Sequence, residues 1–173
     1  MARAIVTQLM FEGAAEEVMT LYVSLFKGPE ITRCERYGPG EQGAEGSVKR
    51  AEFTLAGHRL ACIDSPIKHG FAFTPSMSLF VECEDEAEMD AALARLSEGG
   101  AVLMPPGNYG FGNKFAWLND RFGVSWQLNL RRAPPALSFD ARKARVRGSS
   151  GEHTAAVHGE RNERPARLRR PQP

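Results

Sequence analysis

The feature that most constrains the fold of this chain is an internal repeat. Each of two stretches begins with a strand-like run, continues with one helix that carries a single apolar stripe, and ends with three strand-like runs. The stripes of the two helices match at a separation of 71 residues in four pairs: Val18 and Met89, Leu21 and Ala92, Tyr22 and Leu93, Leu25 and Leu96. This order, met twice, predicts an α+β fold made of two βαβββ modules.

The later strands repeat at a different separation. Phe53 and Phe115 are 62 residues apart, as are Leu55 and Trp117. We therefore expect the second module to have a shorter middle loop, with the modules at about 1–65 and 76–130. Because one helix covers only one face of each module's strands, the other faces must pack together or enclose something. A concave trough for a small molecule is the expected result.

The last quarter of the chain differs from the rest. Residues 131–173 hold 11 Lys/Arg and 4 Asp/Glu, several prolines and few large apolar side chains. Such a segment cannot offset its ordering entropy by burial. The sequence therefore predicts one domain at 1–130 and a basic, Pro/Arg-rich disordered tail at 131–173. Aromatic residues do not alternate with the arginines in this tail, so we do not expect a nucleic-acid partner.

Composition excludes several classes of protein. The chain is 42% hydrophobic and 25% charged, as in ordinary globular proteins. No apolar run is long enough to cross a membrane, and the N-terminus does not resemble a signal peptide. The three cysteines, Cys34, Cys62 and Cys83, are odd in number and widely spaced, which favours reduced thiols over a disulfide framework. We therefore expect a cytoplasmic protein.

Several segments carry a family resemblance. The most specific is WLNDRFGVSWQ at residues 117–127. Weaker ones are LMFEGAAEE at 9–17, YVSLF at 22–26, AEFTL at 51–55 and FVECED at 80–85. Together they resemble the PhnB-like, or 3-demethylubiquinone-9 3-methyltransferase-like, branch of the vicinal oxygen chelate (VOC) superfamily, which has the glyoxalase/bleomycin-resistance fold. The resemblance spans about residues 4–130 and implies a homodimer, which would also cover exposed sheet edges.

The resemblance also indicates where a site would lie. Metal-dependent members of the superfamily place His or Glu on the first and last strands of each module, pointing into the trough. The matching positions in this sequence are Thr7, Cys62 or Asp64, Ser78 and Gln127. Two hydroxyls and an amide with one carboxylate or thiol make a poor transition-metal site. We therefore expect these residues to line a pocket for a polar ligand, with no metal and no cofactor.

The predicted function is that of a PhnB-like small-molecule-binding protein whose substrate is unknown, and catalysis stays open. One alternative is a metal-dependent lyase, isomerase or dioxygenase of the same fold, and another is a drug-sequestering resistance protein. Methyl transfer is not favoured, because the glycine-rich stretch at 38–46 is not followed by a helix, as a nucleotide-binding loop would be. His58 and His69 are predicted to be surface residues of a hairpin turn and a loop.

Overall fold

A computed structural model describes residues 3–110 and 112–131. It confirms the two βαβββ modules. The first contains β1 (Thr7–Phe11), α1 (Ala15–Val23), β2 (Glu30–Arg36), β3 (Val48–Leu55) and β4 (His58–Asp64). The second contains β5 (Ser78–Cys83), α2 (Glu86–Ser97), β6 (Ala101–Gly107), β7 (Lys114–Asn119) and β8 (Ser125–Leu130). The predicted tail at 132–173 lies outside the described residues.

Each module forms a sheet of four strands with the same topology. The strand orders are β1-β4-β3-β2 and β5-β8-β7-β6. In both sheets the first strand pairs in parallel with the last, and the other pairs are antiparallel. The first strand of each module, β1 or β5, is therefore an edge strand, and its connection to the rest of the sheet runs through the helix.

Helix α1 covers one face of the first sheet. The thiol of Cys62 on β4 lies 3.7 Å from the carbonyl oxygen of Ala15, so this strand directs Cys62 toward the helix. Leu9 on β1 and Ala51 on β3 are the sheet neighbours of Cys62 and share its face. These side chains are buried, and they form the core of this module together with Val18 and Tyr22 of α1.

Helix α2 covers the corresponding face of the second sheet. Lys114 on β7 forms ion pairs with Glu86 and Asp90 of α2, and its sheet neighbour on β8 is Leu130. Trp126 shares this face and is 1% exposed. Its ring packs edge-on against Tyr22 of α1, with 4.8 Å between the ring centroids. One hydrophobic core therefore connects the two modules.

The strand separations inferred from sequence were wrong in phase. Phe53 faces α1, whereas Phe115 points away from α2 because its sheet neighbour is Asn129 rather than Leu128. The turn between β3 and β4 has two residues, and the turn between β7 and β8 has five, at 120–124. An odd difference in turn length reverses the side-chain alternation. The helical separation of 71 residues is confirmed, since Val18 and Met89 are both buried.

Local signals account for the ends of several elements. Asp85 is the N-cap of α2, and its side chain accepts a hydrogen bond from the Glu88 amide at 2.8 Å. The two-residue turn between β3 and β4 places Ala56 and Gly57 at φ 47° and 81°, as a tight hairpin of the primed type requires. The glycine-rich stretch leads into strand β3 and not into a helix. Within the described part of the chain, no helix is long and apolar enough to cross a membrane.

Candidate functional site

A cleft lies along the two edge strands β1 and β5, where the modules meet. Its volume is about 550 Å³, and an adjoining cavity of about 210 Å³ shares four of its residues: Thr7, Met77, Ser78 and Leu79. We call this space the β1–β5 cleft. Because β5 is an edge strand, side chains from both faces of its sheet reach the cleft. Sites for small ligands commonly have this size.

The walls of the β1–β5 cleft are mostly apolar. Phe26, Leu60 and Trp126 form its inner part, and all three belong to the hydrophobic core. Met77 and Phe80 lie at its mouth and are 66% and 54% exposed. Large exposed apolar side chains that border a cleft are the kind of surface that a ligand covers. The cleft therefore offers burial to an apolar body and leaves orientation to a few polar groups.

Ser78 belongs to a chain of hydrogen bonds on the side of the second sheet opposite α2. The side-chain amide of Gln127 donates to Ser78 Oγ at 3.1 Å, and the indole N–H of Trp117 donates to Ser125 Oγ at 2.9 Å. The two serine hydroxyls are 2.8 Å apart. Ser78 and Ser125 are direct neighbours in the parallel β5–β8 pair, which explains their contact.

The direction of the Ser78–Ser125 hydrogen bond follows from burial. Ser125 is 1% exposed, so a hydroxyl proton on it that found no acceptor would be costly. Each serine already accepts one hydrogen bond, so the lower-energy arrangement has Ser125 donating to Ser78. The proton of Ser78 is then directed away from this chain. Because Ser78 lines the cleft, it is positioned to donate a hydrogen bond to a ligand.

A second polar pair borders the same cleft from the first module. Thr7 Oγ1 lies 3.1 Å from Nε2 of His58, the first residue of β4. Both side chains line the cleft together with Ala56 of the hairpin turn. The local sequence marked His58 only as a turn residue. Its contact with Thr7 arises because β1 and β4 pair across 51 residues, a relationship that no local pattern reveals.

The five residues proposed from sequence separate into two groups. Thr7 and Ser78 line the β1–β5 cleft, and Gln127 is bonded to Ser78. Thr7 faces the helix side of its sheet and Ser78 the opposite side, so they are not equivalent positions of the repeat. They meet because both belong to edge strands at the junction of the modules.

Cys62 and Asp64 are directed toward helix α1 and lie outside the cleft. Burial, with a further contribution from the negative charge of Asp64, raises the pKa of the Cys62 thiol to about 12. Asp64 Oδ1 accepts hydrogen bonds from the amides of Gly13 and Ala15, and Oδ2 accepts one from Val48. The carboxylate therefore caps the start of α1, which has no N-cap side chain of its own. We do not include either residue in the candidate site.

The donors at the cleft do not fit a transition metal. Two hydroxyls, an amide and one imidazole lack the carboxylate or thiolate ligands that complete such sites. Among residues 3–110 and 112–131, no group of three or more His, Cys, Asp or Glu side chains could hold a metal ion. The arrangement suits recognition of a ligand by hydrogen bonds inside an apolar wall.

Comparison with known proteins identifies the family. The family model for 3-demethylubiquinone-9 3-methyltransferase matches residues 3–129. A PhnB protein from Bacillus cereus is 53% identical; the match covers 74% of this chain and 99% of that one, with a TM-score of 0.72. The chain belongs to the PhnB-like family. The sequence resemblance is therefore confirmed.

More distant relatives of this PhnB-like protein share its fold. Protein PA1353 from Pseudomonas aeruginosa is 24% identical over 76% of this chain and all of that chain, with a TM-score of 0.66. The fosfomycin resistance protein FosX from Mesorhizobium loti is 12% identical over 76% of this chain and 95% of that chain, with a TM-score of 0.50. These similarities fit the VOC fold. A comparison with curated protein sequences found no match.

Proposed function

We propose that this PhnB-like protein binds a small organic molecule in the β1–β5 cleft. The observation that carries the proposal is the hydroxyl of Ser78, which accepts hydrogen bonds from two neighbours and presents its own proton to an apolar cleft. Thr7, with His58 behind it, supplies a second polar contact on the opposite wall. An apolar cleft with a few convergent polar groups is a common design of small-molecule sites.

The polar groups of the cleft suggest what the ligand carries. Ser78 offers a donor, so the ligand should bring an acceptor such as a carbonyl oxygen. The charged residue nearest the mouth is Glu82, whose carboxylate is 2.9 Å from the guanidinium of Arg131. Neither wall presents a cation that would select an anionic ligand. We therefore propose a neutral, largely apolar compound that carries a carbonyl or a similar acceptor.

The family's description names a methyltransferase, and this fold gives that activity little support. Binding of a nucleotide-type cofactor usually uses a parallel, doubly wound sheet with a glycine-rich turn that opens a helix. Each sheet here has a single parallel pair, and the glycine-rich stretch connects two strands. We propose that the protein does not bind S-adenosylmethionine. Isothermal titration of S-adenosylmethionine into the purified protein tests this, and binding in the micromolar range would contradict it.

Binding in the cleft can be tested by screening neutral carbonyl compounds for an increase in the unfolding temperature. A ligand that binds only the native state stabilises it. With the best compound, we expect Ser78→Ala to weaken binding about tenfold, because a buried ligand carbonyl loses its donor. Ser97→Ala removes an exposed hydroxyl at the end of α2 and should leave the affinity unchanged. Equal affinities for the wild-type protein and Ser78→Ala would overturn the proposal.

The metal-dependent alternatives require a separate measurement. We propose that the protein functions without a metal or other cofactor, because the donors at the cleft suit hydrogen bonding. Metal analysis of the purified protein tests this: stoichiometric zinc, nickel, manganese or iron would favour a lyase, isomerase or dioxygenase. The drug-sequestering alternative predicts stabilisation by an antibiotic in the same thermal screen.

The expected homodimer and cytoplasmic location stay predictions. Strands β2 and β6 are edges of their sheets, and β2 is exposed along its whole length. Natural proteins commonly cover or blunt such edges. We therefore propose a second copy of this chain as the partner. Light scattering should give twice the mass of one chain, and a monomer at high concentration would contradict the proposal.

A further inference from the structure

A second cavity lies at the other end of β1, apart from the β1–β5 cleft. Its volume is about 640 Å³. The loop before β5, the end of β1 and the turn between β7 and β8 enclose it. Its lining includes three phenylalanines, Phe71, Phe73 and Phe122, together with Arg121, Glu12 and His69. We call it the aromatic cavity. The proposed function does not use these residues.

The aromatic rings of this cavity form a connected group. The ring centroids of Phe11 and Phe73 are 5.3 Å apart, and those of Phe11 and Phe122 are 6.4 Å apart. Phe71 contacts the His69 ring at 4.8 Å yet is 67% exposed. A large exposed ring at the mouth of a cavity costs solvation energy unless something covers it. The surface therefore suits a planar aromatic ring.

The loop that carries Phe71 is fixed to the first module. The Ser65 amide donates to the carbonyl oxygen of Phe11 at 2.7 Å, and the His69 amide donates to Glu12 Oε1 at 2.7 Å. The His69 ring is in turn 2.8 Å from Ser65 Oγ. Because both hydrogen-bond contacts fix the loop to the end of β1, the cavity is largely formed before a ligand arrives. Preformed walls reduce the entropy lost on binding.

Arg121 supplies a cation at the wall of the aromatic cavity. Its guanidinium stacks over the Phe122 ring at 4.6 Å. Its Nε and Nη2 both donate to Glu17 Oε1, at 3.2 and 2.7 Å. Within the described ranges, Nη1 has no hydrogen-bond acceptor. A guanidinium that is oriented by a neighbouring carboxylate and still has donors available can bind a carboxylate of a ligand.

From these contacts we propose that the aromatic cavity binds an aromatic carboxylate. The ring of the ligand packs among Phe71, Phe73 and Phe122, and its carboxylate accepts hydrogen bonds from Arg121. Glu12 and His69 act as positioning residues, since they hold the loop that carries Phe71. This ligand class differs from the neutral compounds proposed for the β1–β5 cleft.

The proposal can be tested with two probes of the same shape, 1-naphthoate and its neutral amide 1-naphthamide. Their dissociation constants are measured by NMR titration of the isotopically labelled full chain. We expect Arg121→Gln to weaken naphthoate about tenfold and to leave naphthamide unchanged, because only the charged group contacts the guanidinium. Phe71→Ala should weaken both probes about threefold or more, since it removes ring contact from both.

The controls separate this site from the cleft and from loss of folding. Ser78→Ala should leave naphthoate binding unchanged, so failure of the cleft proposal would not affect this result. Unchanged naphthamide affinity in Arg121→Gln shows that the cavity is still formed. If that variant loses naphthamide as well, Arg121→Lys, which keeps the charge, should restore binding of both probes. Absence of naphthoate binding to the wild-type protein, or equal naphthoate affinity in Arg121→Gln, would overturn the proposal.

Discussion

The hydroxyl of Tyr22 donates a hydrogen bond of 2.5 Å to Asp120 Oδ2, which connects helix α1 of the first module to the β7–β8 turn of the second. The same oxygen accepts the indole N–H of Trp126 at 3.0 Å. Oδ1 accepts the amides of Phe122 and Val124 at 2.9 and 3.0 Å. Asp120 is 4% exposed, so this carboxylate is both buried and fully bonded. It fixes the two modules relative to each other and thereby shapes the β1–β5 cleft.

We expect Tyr22→Phe to destabilise the protein by about 1–3 kcal/mol, because a buried carboxylate loses one charge-assisted hydrogen bond. Urea denaturation measures the change in the free energy of unfolding. Tyr37→Phe, at a half-buried tyrosine in the β2–β3 loop, is the matched control and should cost less than about 0.5 kcal/mol. Equal losses in the two variants would contradict a special role for the Tyr22–Asp120 contact.

The same contact predicts how stability depends on alkaline pH. Burial and the negative charge of Asp120 raise the pKa of Tyr22 well above its ordinary value. In the unfolded chain this tyrosine loses its proton near pH ~10. The native state keeps its proton, so above that pH the stability from Tyr22 falls by about 1.4 kcal/mol per pH unit. Denaturation between pH 9 and about 11.5 should show a steeper loss for the wild-type protein than for Tyr22→Phe. Identical slopes would refute this.

Asp64 is expected to act in folding and not in ligand binding. In Asp64→Asn, the amide nitrogen would face a backbone N–H that the carboxylate now satisfies, so we expect a loss of about 2–3 kcal/mol. Asp85→Asn is the matched control at the exposed cap of α2, where asparagine caps about as well as aspartate and the loss should stay below ~0.5 kcal/mol. Chemical denaturation compares the two. Near-normal stability of Asp64→Asn, combined with loss of ligand affinity, would return Asp64 to the site.

The three thiols should differ in reactivity. Burial raises the pKa of Cys62 to about 12 and that of Cys83 to about 11, so neither forms the reactive thiolate near pH 8. Cys34 lies on the exposed edge strand β2. Iodoacetamide at that pH should add one group to the native protein and three to the unfolded chain, as counted by mass spectrometry. Native Cys34→Ser should add none, and rapid labelling of a second cysteine would disagree with the buried positions.

A chain truncated after Leu130 should fold as stably as the full chain. The family model ends at residue 129, and the Bacillus cereus PhnB protein matches this chain over 99% of its own length. The truncation removes the exposed ion pair between Arg131 and Glu82, which contributes little. Thermal unfolding of both chains makes the comparison. A marked loss of stability on truncation would contradict the prediction of a disordered tail.

The sequence predicted the modules well, because helical periodicity reports which face is buried. Val18 and Met89 were paired correctly for this reason. The phase of the later strands, as at Phe53 and Phe115, was predicted wrongly because it depends on turn lengths that alternation alone does not reveal. The contacts of Thr7 with His58 and of Ser78 with Ser125 come from parallel pairing between distant strands. Asp64 looked like a site residue because its type and strand position do not show that it caps a helix.

The most direct test of the cleft is a crystal structure of the protein with the tightest-binding neutral carbonyl compound. The account predicts that the compound lies between β1 and β5, with its acceptor within ~3.2 Å of Ser78 Oγ. Its apolar part should cover Met77 and Phe80, which are now exposed. A compound bound elsewhere, with the β1–β5 cleft empty, would contradict the account.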